Sequence, residues 1–75
     1  MKLYPIPIKS LLNISSSEKI EKLTLYNNLG AITHFKKLVN SSRNYKLDLS
    51  SFSSGIYYLS IEGKKNIENR KIIIE

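Results

Sequence analysis

The feature that most constrains the fold is an alternation of apolar and polar residues on both sides of a short polar corner. From Tyr45 to Leu49 apolar and polar residues alternate, and the same pattern returns from Tyr57 to Ile61. A period of two is typical of β-strands with one buried face. Residues 50–55 between them are too few and too polar for a helix. The sequence therefore predicts two strands, in a hairpin-like unit, joined by a compact corner.

The corner carries residues suited to a tight turn. Asp48 and Ser50 have short polar side chains that can accept hydrogen bonds from nearby backbone N–H groups. Gly55 can adopt backbone angles that a side chain forbids. Phe52 is the large apolar residue within the corner, and we predict that it plugs one end of the core.

The first third of the chain predicts shorter strands. Pro5 and Pro7 favour extended backbone and remove N–H donors, so this segment is expected to be an edge strand or a lead-in to one. Residues 8–14 can pair until three serines interrupt the pattern. A further strand is predicted over residues 22–26, and a helix over 17–25 is rejected because the segment is short and ends in a strand-like run.

The middle of the chain contains a turn signal and a polar segment. Residues 27–30 read Asn-Asn-Leu-Gly, and Gly30 tolerates the positive φ that such turns require. Residues 31–35 are expected to return antiparallel. Residues 36–44 are mostly polar, and we interpret them as a flexible connection that contains at most a short strand.

The C-terminal segment predicts a strand inside a sheet. A polar turn at residues 63–66 leads into residues 67–75, where Ile72 and Ile74 share one face and Ile73 lies on the other. Consecutive isoleucines would promote aggregation if left unpaired. Six or seven short strands with frequent turns predict an all-β fold, a small two-sheet antiparallel β-sandwich.

Composition limits the remaining possibilities. A chain of 75 residues forms one small domain, and without cysteine its stability depends on packing and strand pairing. The formal charge of +6 favours anionic partners. No apolar run is long enough to span a membrane, so we expect no membrane insertion. The first residues lack the apolar run of a signal peptide, so if the domain is exported, its export signal is expected on a longer parent chain.

The residues that carry chemistry are scattered. His34 is the sole histidine and stands without a partner at motif spacing, so a structural role is expected. The carboxylates do not cluster, and three separate glycines cannot cradle a phosphate. We therefore predict no catalytic, cofactor or metal site and no enzyme activity. Three basic pairs and the outward-facing Tyr26 and Tyr58 leave nucleic acid or sugar contacts open, but no nucleic-acid motif accompanies them, so no nucleic-acid partner is expected.

Four segments in a fixed order carry a family resemblance. They are the Tyr-Pro-Ile-Pro opening, LTLYNNLG ending at Gly30, the Asp-Leu-Ser and Gly-Ile-Tyr-Tyr-Leu-Ser-Ile runs around the corner, and RKIII from Arg70 to Ile74. Together they resemble the C-terminal sorting domain, type A, of proteins exported by the bacterial type IX secretion system. The chain departs from the family at Ile6, where Asn is usual, and at Glu75, where a basic residue is common near the end.

The resemblance implies an immunoglobulin-like β-sandwich and a sorting function. The domain would follow an upstream cargo domain, be recognised in the periplasm by the type IX outer-membrane translocon, and then be cleaved by a sortase-like peptidase at the cell surface. We expect recognition to use the corner from Asp48 to Tyr57 together with the terminal strand from Lys71 to Glu75. The motif or recognition positions are Tyr4, Pro5, Pro7, Gly30, Asp48, Ser50, Gly55, Tyr57, Lys71, Ile72 and Ile74.

Alternative functions and states stay open at this point. A stand-alone adhesion or carbohydrate-binding sandwich would use Tyr26 and Tyr58, and a purely structural linker module would be dispensable for export. A strand-exchanged dimer is possible because the proline-rich start and a flexible connection at residues 36–44 would allow exchange between copies.

Overall fold

A computed structural model of the protein describes residues 2–5 and 7–75, and its regular elements there are β-strands. Ile6, the position near the start at which the chain departs from the family pattern, lies outside the described residues. No helix in the described part is long and apolar enough to cross a membrane. The five strands are β1 (Lys2–Tyr4), β2 (Leu11–Asn27), β3 (Ile32–Asp48), β4 (Gly55–Glu62) and β5 (Ile67–Ile74).

Strand β2 is the centre of the sheet. Strand β3 pairs with one edge of β2 along most of its length, while β1 and β4 pair with the other edge, β1 near residues 13–15 and β4 along residues 22–27. Strand β5 pairs with β4, and all these pairs are antiparallel. The spatial order of the strands in the sheet is therefore β1-β2-β4-β5, and β3 pairs with the other edge of β2.

The two long strands bend, and the bend creates two layers. A strand of 17 residues would be about 55 Å long if straight, but the molecule measures 30 × 23 × 18 Å. The register shifts twice at the bend: residues 16–19 of β2 lie opposite residue 43, and residues 38–41 of β3 lie opposite residue 21. Such bulges increase local bending and twist. The expected antiparallel sandwich is thus formed by one continuous sheet that curls over itself.

The core lies between the two layers. Every buried side chain among the described residues is hydrophobic. The inward positions predicted on the corner strands and on β5 are confirmed, and Phe52 packs against the core as predicted. The buried set is Ile8, Leu12, Ile14, Ile20, Leu23, Leu25, Leu47, Leu49, Tyr57, Leu59, Ile61, Ile72 and Ile74.

Two predicted interruptions of the strands are wrong. The serines after residue 14 do not end a strand, and residues 36–44 are not a flexible connection, because both segments belong to the long strands β2 and β3. The expected six or seven strands are therefore five. At the bulges the alternation breaks while the strands continue on both sides, with polar residues at 16–19 and with Leu38 and Val39 beside two polar residues at 38–41.

The predicted hairpin-like unit at the corner is also wrong in its pairing. Strands β3 and β4 do not pair with each other; they flank β2, so that Lys22 lies opposite both Lys37 and Glu62. The corner instead leads from one edge of β2 to the other. The rejection of a helix over residues 17–25, the turn at 27–30 and the terminal strand within the sheet are confirmed.

The N-terminal segment closes the sandwich at its open side. The backbone N–H of Ile8 donates to the carbonyl of Ile73 at 2.8 Å, and the N–H of Glu75 donates to the carbonyl of Ile8 at 2.7 Å. The Ile8 side chain is fully buried. The free edge of β5 is thereby covered at its C-terminal end, which limits edge-to-edge association there.

Candidate functional site

The corner between β3 and β4 is held by short local hydrogen bonds. Asp48 Oδ1 accepts the Ser50 backbone N–H at 3.0 Å, and the Phe52 N–H donates to the Leu49 carbonyl at 3.1 Å. The N–H of Ser50, followed by its side chain, lowers the pKa of the Asp48 carboxyl below its ordinary value of 3.8. Ser50 thus donates its backbone N–H to the turn. The hydrogen bond from the Ser50 N–H to the ionised Asp48 carboxylate is therefore at full strength at neutral pH. Its extra stability is lost as the pH falls through the lowered pKa.

Aromatic rings close the end of the core beneath the corner. The Phe52 and Tyr57 rings meet edge to face with centroids 6.2 Å apart, and His34 meets Phe52 in the same way at 6.1 Å. The Tyr57 hydroxyl donates to the Ser53 carbonyl at 2.8 Å. Tyr57 is buried, so it fixes the corner from inside. His34 is therefore part of this aromatic packing.

The terminal strand lies directly beside the corner. In the register of β4 and β5, Gly55 is opposite Ile74, Ile56 is opposite Ile73, and Tyr57 is opposite Ile72. Because side chains alternate along strands, the pair of Tyr57 and Ile72 points into the core while Ile56 and Ile73 point outward. Gly55 begins β4 with a φ of +151°, which a residue with a side chain rarely adopts.

The Asn27–Gly30 turn stands against the same corner. The N–H of Gly30 donates to the Asn27 carbonyl at 3.0 Å, and the φ of Gly30 is +83°. Asn27 Oδ1 accepts the N–H groups of Leu29 and Ala31 at 2.9 and 3.0 Å. An open cleft of about 580 Å³ separates this turn from the corner and is lined by Asn27, Asn28, Thr33 and residues 51–57. We call it the corner cleft.

The structure therefore brings together most of the predicted positions but not all. Gly55 and Tyr57 line the corner cleft, and Ile74 and Ile72 lie opposite them in β5. Gly30 ends the turn whose Asn27 and Asn28 line the cleft. Lys71 pairs with Tyr58 on the outer face. Asp48 and Ser50 lie at the start of the corner.

The N-terminal motif is split between two places. Tyr4 lies on β1 opposite Asn13, and its carbonyl accepts the Asn13 side-chain amide at 3.3 Å, away from the corner cleft. Pro5 follows it. Pro7 directly precedes Ile8, whose backbone pairs with the terminal strand. Pro7 therefore leads the chain into the closure of the sandwich.

Ile8 is a position whose pairing partner the sequence patterns did not reveal. It stands outside the regular strands, yet its backbone binds Ile73 and Glu75 and its side chain is fully buried. The available signal was an apolar residue directly after Pro7, at the start of a segment able to pair. Such a signal does not identify the strand with which the residue pairs.

The outer face of the sheet presents aromatic and basic residues. Tyr26 of β2 lies directly opposite Tyr58 of β4, and Tyr58 lies opposite Lys71 of β5. The two tyrosines predicted to face outward are thus neighbours, Tyr58 exposed and Tyr26 half-buried.

The acidic residues of the described part of the chain are dispersed. Within residues 2–5 and 7–75 no group of three or more His, Cys, Asp or Glu side chains is placed to hold a metal ion. Glu62 pairs with Lys22 at 3.6 Å and Glu68 pairs with Arg70, both near solvent. The corner offers backbone edges, small hydroxyls and two exposed isoleucines, which suit contact with a protein partner.

Comparison with known proteins identifies the family. Residues 2–75 match the family described as "Secretion system C-terminal sorting domain". The chain therefore belongs to the family of type IX secretion C-terminal sorting domains, which is generally non-catalytic and whose members mark proteins for secretion to the cell surface or the medium.

A curated relative shares the region. The chain is 29% identical over 75 residues to Beta-agarase A of Zobellia galactanivorans, a match that covers 97% of this chain and 13% of that protein. The chain thus spans a small part of the relative's length. No solved structure matches.

Proposed function

We propose that this domain is read in the periplasm by the type IX outer-membrane translocon and directs an upstream cargo domain across the outer membrane. The observation that supports this most is the match of nearly the whole chain to the sorting-domain family. Under this proposal a sortase-like peptidase then removes the domain at the cell surface. The domain itself binds and is recognised, and it catalyses nothing.

The proposed recognition surface combines the corner with the terminal strand. Its support is the register that sets Ile56 opposite Ile73, since both side chains are exposed although they are large and apolar. Exposed apolar residues beside a polar rim are common in protein interfaces. The rim here is supplied by Lys71, Ser53 and Ser54, which are exposed.

The buried motif residues contribute indirectly. Gly55, Tyr57, Ile72 and Ile74 fix the backbone that carries the exposed residues. A translocon that binds a folded surface gains from a backbone that is already ordered, because preorganisation lowers the entropy cost of binding. The motif therefore contains buried residues that fix the backbone and exposed residues that a partner can contact.

A strand-exchanged dimer stays a prediction. One argument for it is removed, since residues 36–44 are part of strand β3 rather than a flexible connection. The remaining argument is the N-terminal segment with Pro5 and Pro7, because it reaches β5 through the single residue Ile8.

Removal of the last five residues tests the sorting proposal. A fluorescent reporter fused to residues 2–75 behind a signal peptide is expected to leave the periplasm in a bacterium with the type IX system, and the fusion that lacks residues 71–75 is expected to remain there. The truncation removes half of the residue pairs between β4 and β5, those of residues 55–58, together with two buried isoleucines. Reporter fluorescence in the periplasm, surface and medium fractions measures export. Normal export of the truncated fusion would contradict the proposal.

A further inference from the structure

Four cationic side chains from three segments line one cleft near the bend of the sandwich. Lys19 comes from the bulge of β2, Arg43 from β3, and Lys64 and Lys65 from the turn between β4 and β5. The cleft has a volume of about 400 Å³. Sites for small ligands commonly measure about 300–1,000 Å³. We call this the basic cleft, and its size suits one or two sugar rings.

The charge of the basic cleft is largely uncompensated. Its lining contains one carboxylate, Glu18, whose Oε1 accepts the Asn66 side-chain amide at 3.1 Å. The ion pairs found in the described part of the chain join Lys22 to Glu62 and Arg70 to Glu68, so none uses a cation of the cleft. Cations gathered in a cleft concentrate the local field, and an anion bound there relieves their mutual repulsion.

The backbone around the basic cleft is fixed. The N–H of Gly63 donates to the Asn66 carbonyl at 2.9 Å and closes the turn that carries the two lysines. A Cβ at Gly63 would lie 3.0 Å from the Lys19 carbonyl oxygen, so this turn packs closely on β2. Arg43 Nε donates to the Ser17 carbonyl at 3.2 Å, which anchors one side of its guanidinium. The three segments that supply the cations are therefore held together by contacts of their own backbone.

The lining indicates the class of ligand. Lysine ammonium and arginine guanidinium groups bind phosphate and sulfate oxygens strongly. Ser17, Ser41 and the carboxylate of Glu18 also line the cleft and can pair with sugar hydroxyls. The lining contains no aromatic side chain on which a base could stack, which disfavours a nucleic acid.

We propose that the basic cleft binds a phosphate or sulfate group carried by a saccharide. This site is separate from the corner cleft and goes beyond the sorting function. A phosphorylated saccharide of a lipid headgroup and a sulfated polysaccharide share this chemistry, and the choice of probe separates them.

Calorimetric titration of the 75-residue chain tests the ligand class. The probes are a phosphorylated glucosamine disaccharide, a sulfated galactose disaccharide, the two unsubstituted disaccharides, and inorganic phosphate, all at one ionic strength. At least one substituted disaccharide is expected to bind about tenfold more tightly than its unsubstituted form and than inorganic phosphate, because each charged hydrogen bond contributes about 1.5–3 kcal/mol. Equal binding of inorganic phosphate, or no binding of either substituted disaccharide, would overturn the proposal.

A pair of charge-matched variants tests the location. Lys64→Gln with Lys65→Gln removes two charges from the basic cleft, whereas Lys36→Gln with Lys37→Gln removes two exposed charges from β3. The first variant is expected to lower the affinity for the bound disaccharide by about tenfold or more and the second by less than about threefold. Equal losses would show attraction by net charge alone and would overturn the site. Thermal unfolding of both variants checks that each remains folded. Export of the fused reporter is measured separately and tests the sorting proposal.

Discussion

Replacing Ile72 with alanine is expected to lower the free energy of unfolding by about 2–5 kcal/mol, the usual cost of truncating a fully buried isoleucine. The Ile72 side chain is completely buried and lies opposite Tyr57 in the register of β4 and β5. Folded domains of this length have about 0.05–0.15 kcal/mol of stability per residue. The substitution therefore removes a large fraction of the total and is expected to leave much of the protein unfolded at 37 °C.

The neighbouring residue gives the matched control. Ile73 differs from Ile72 by one position but points outward and is 43% exposed. Ile73→Ala is expected to cost less than about 1 kcal/mol, since little apolar area is removed from the core. Urea denaturation of both variants, followed by circular dichroism, measures the difference. Equal losses for the two variants would contradict the inward placement of Ile72.

Replacing the exposed pair Ile56 and Ile73 with serine is expected to lower export of a fused reporter by about tenfold or more while the domain stays folded. The two side chains face each other across β4 and β5 and are 40% and 43% exposed. Central apolar residues of an interface commonly contribute about 2 kcal/mol or more to binding. A loss of export without a loss of stability separates recognition from folding, which truncation of the chain cannot do.

The control for this pair removes similar apolar surface elsewhere. Ile32 and Phe35 lie on β3 and are 62% and 54% exposed. Serine at both of these positions is expected to leave export within about twofold of the unmodified fusion. Export is measured in fractionated cells and folding by thermal unfolding of the purified domains. If the two double variants lose export equally, the corner and terminal strand are not the recognition surface.

The inward and outward faces of the strands were readable from the sequence. Leu59 and Ile61 on β4, and Ile72 and Ile74 on β5, are buried as their alternation predicts. This succeeds because the direction of a side chain on a strand depends on local geometry. The turn at residues 27–30 was predictable for the same reason, as its asparagine and glycine carry the turn chemistry themselves.

The continuity of the long strands and the choice of pairing partners could not be predicted from the sequence. Residues 16–19 are polar and residues 38–41 break the apolar alternation, because both form the bulges where the sheet bends, and a break in alternation resembles a loop. The choice of β2 as the neighbour of both β3 and β4 is a long-range property that no local period encodes. The same limit hid the partner of Ile8, which is buried and bonds through its backbone to residues at the other end of the chain.

For the candidate sites, the sequence supplied residues but not their arrangement. The motifs around Gly55 and Ile74 were recognisable, yet only the register of β4 and β5 sets them side by side. The pair Lys64 and Lys65 was visible, but its convergence with Arg43 on one cleft depends on how the bulges and the turn pack together.

The sorting function is tested most directly by the destination of a reporter fused to residues 2–75 behind a signal peptide, compared between a strain with the type IX translocon and one without it. Fluorescence is expected at the cell surface or in the medium in the first strain and in the periplasm in the second. Fluorescence confined to the periplasm in both strains would contradict the claim that this domain is a sorting signal.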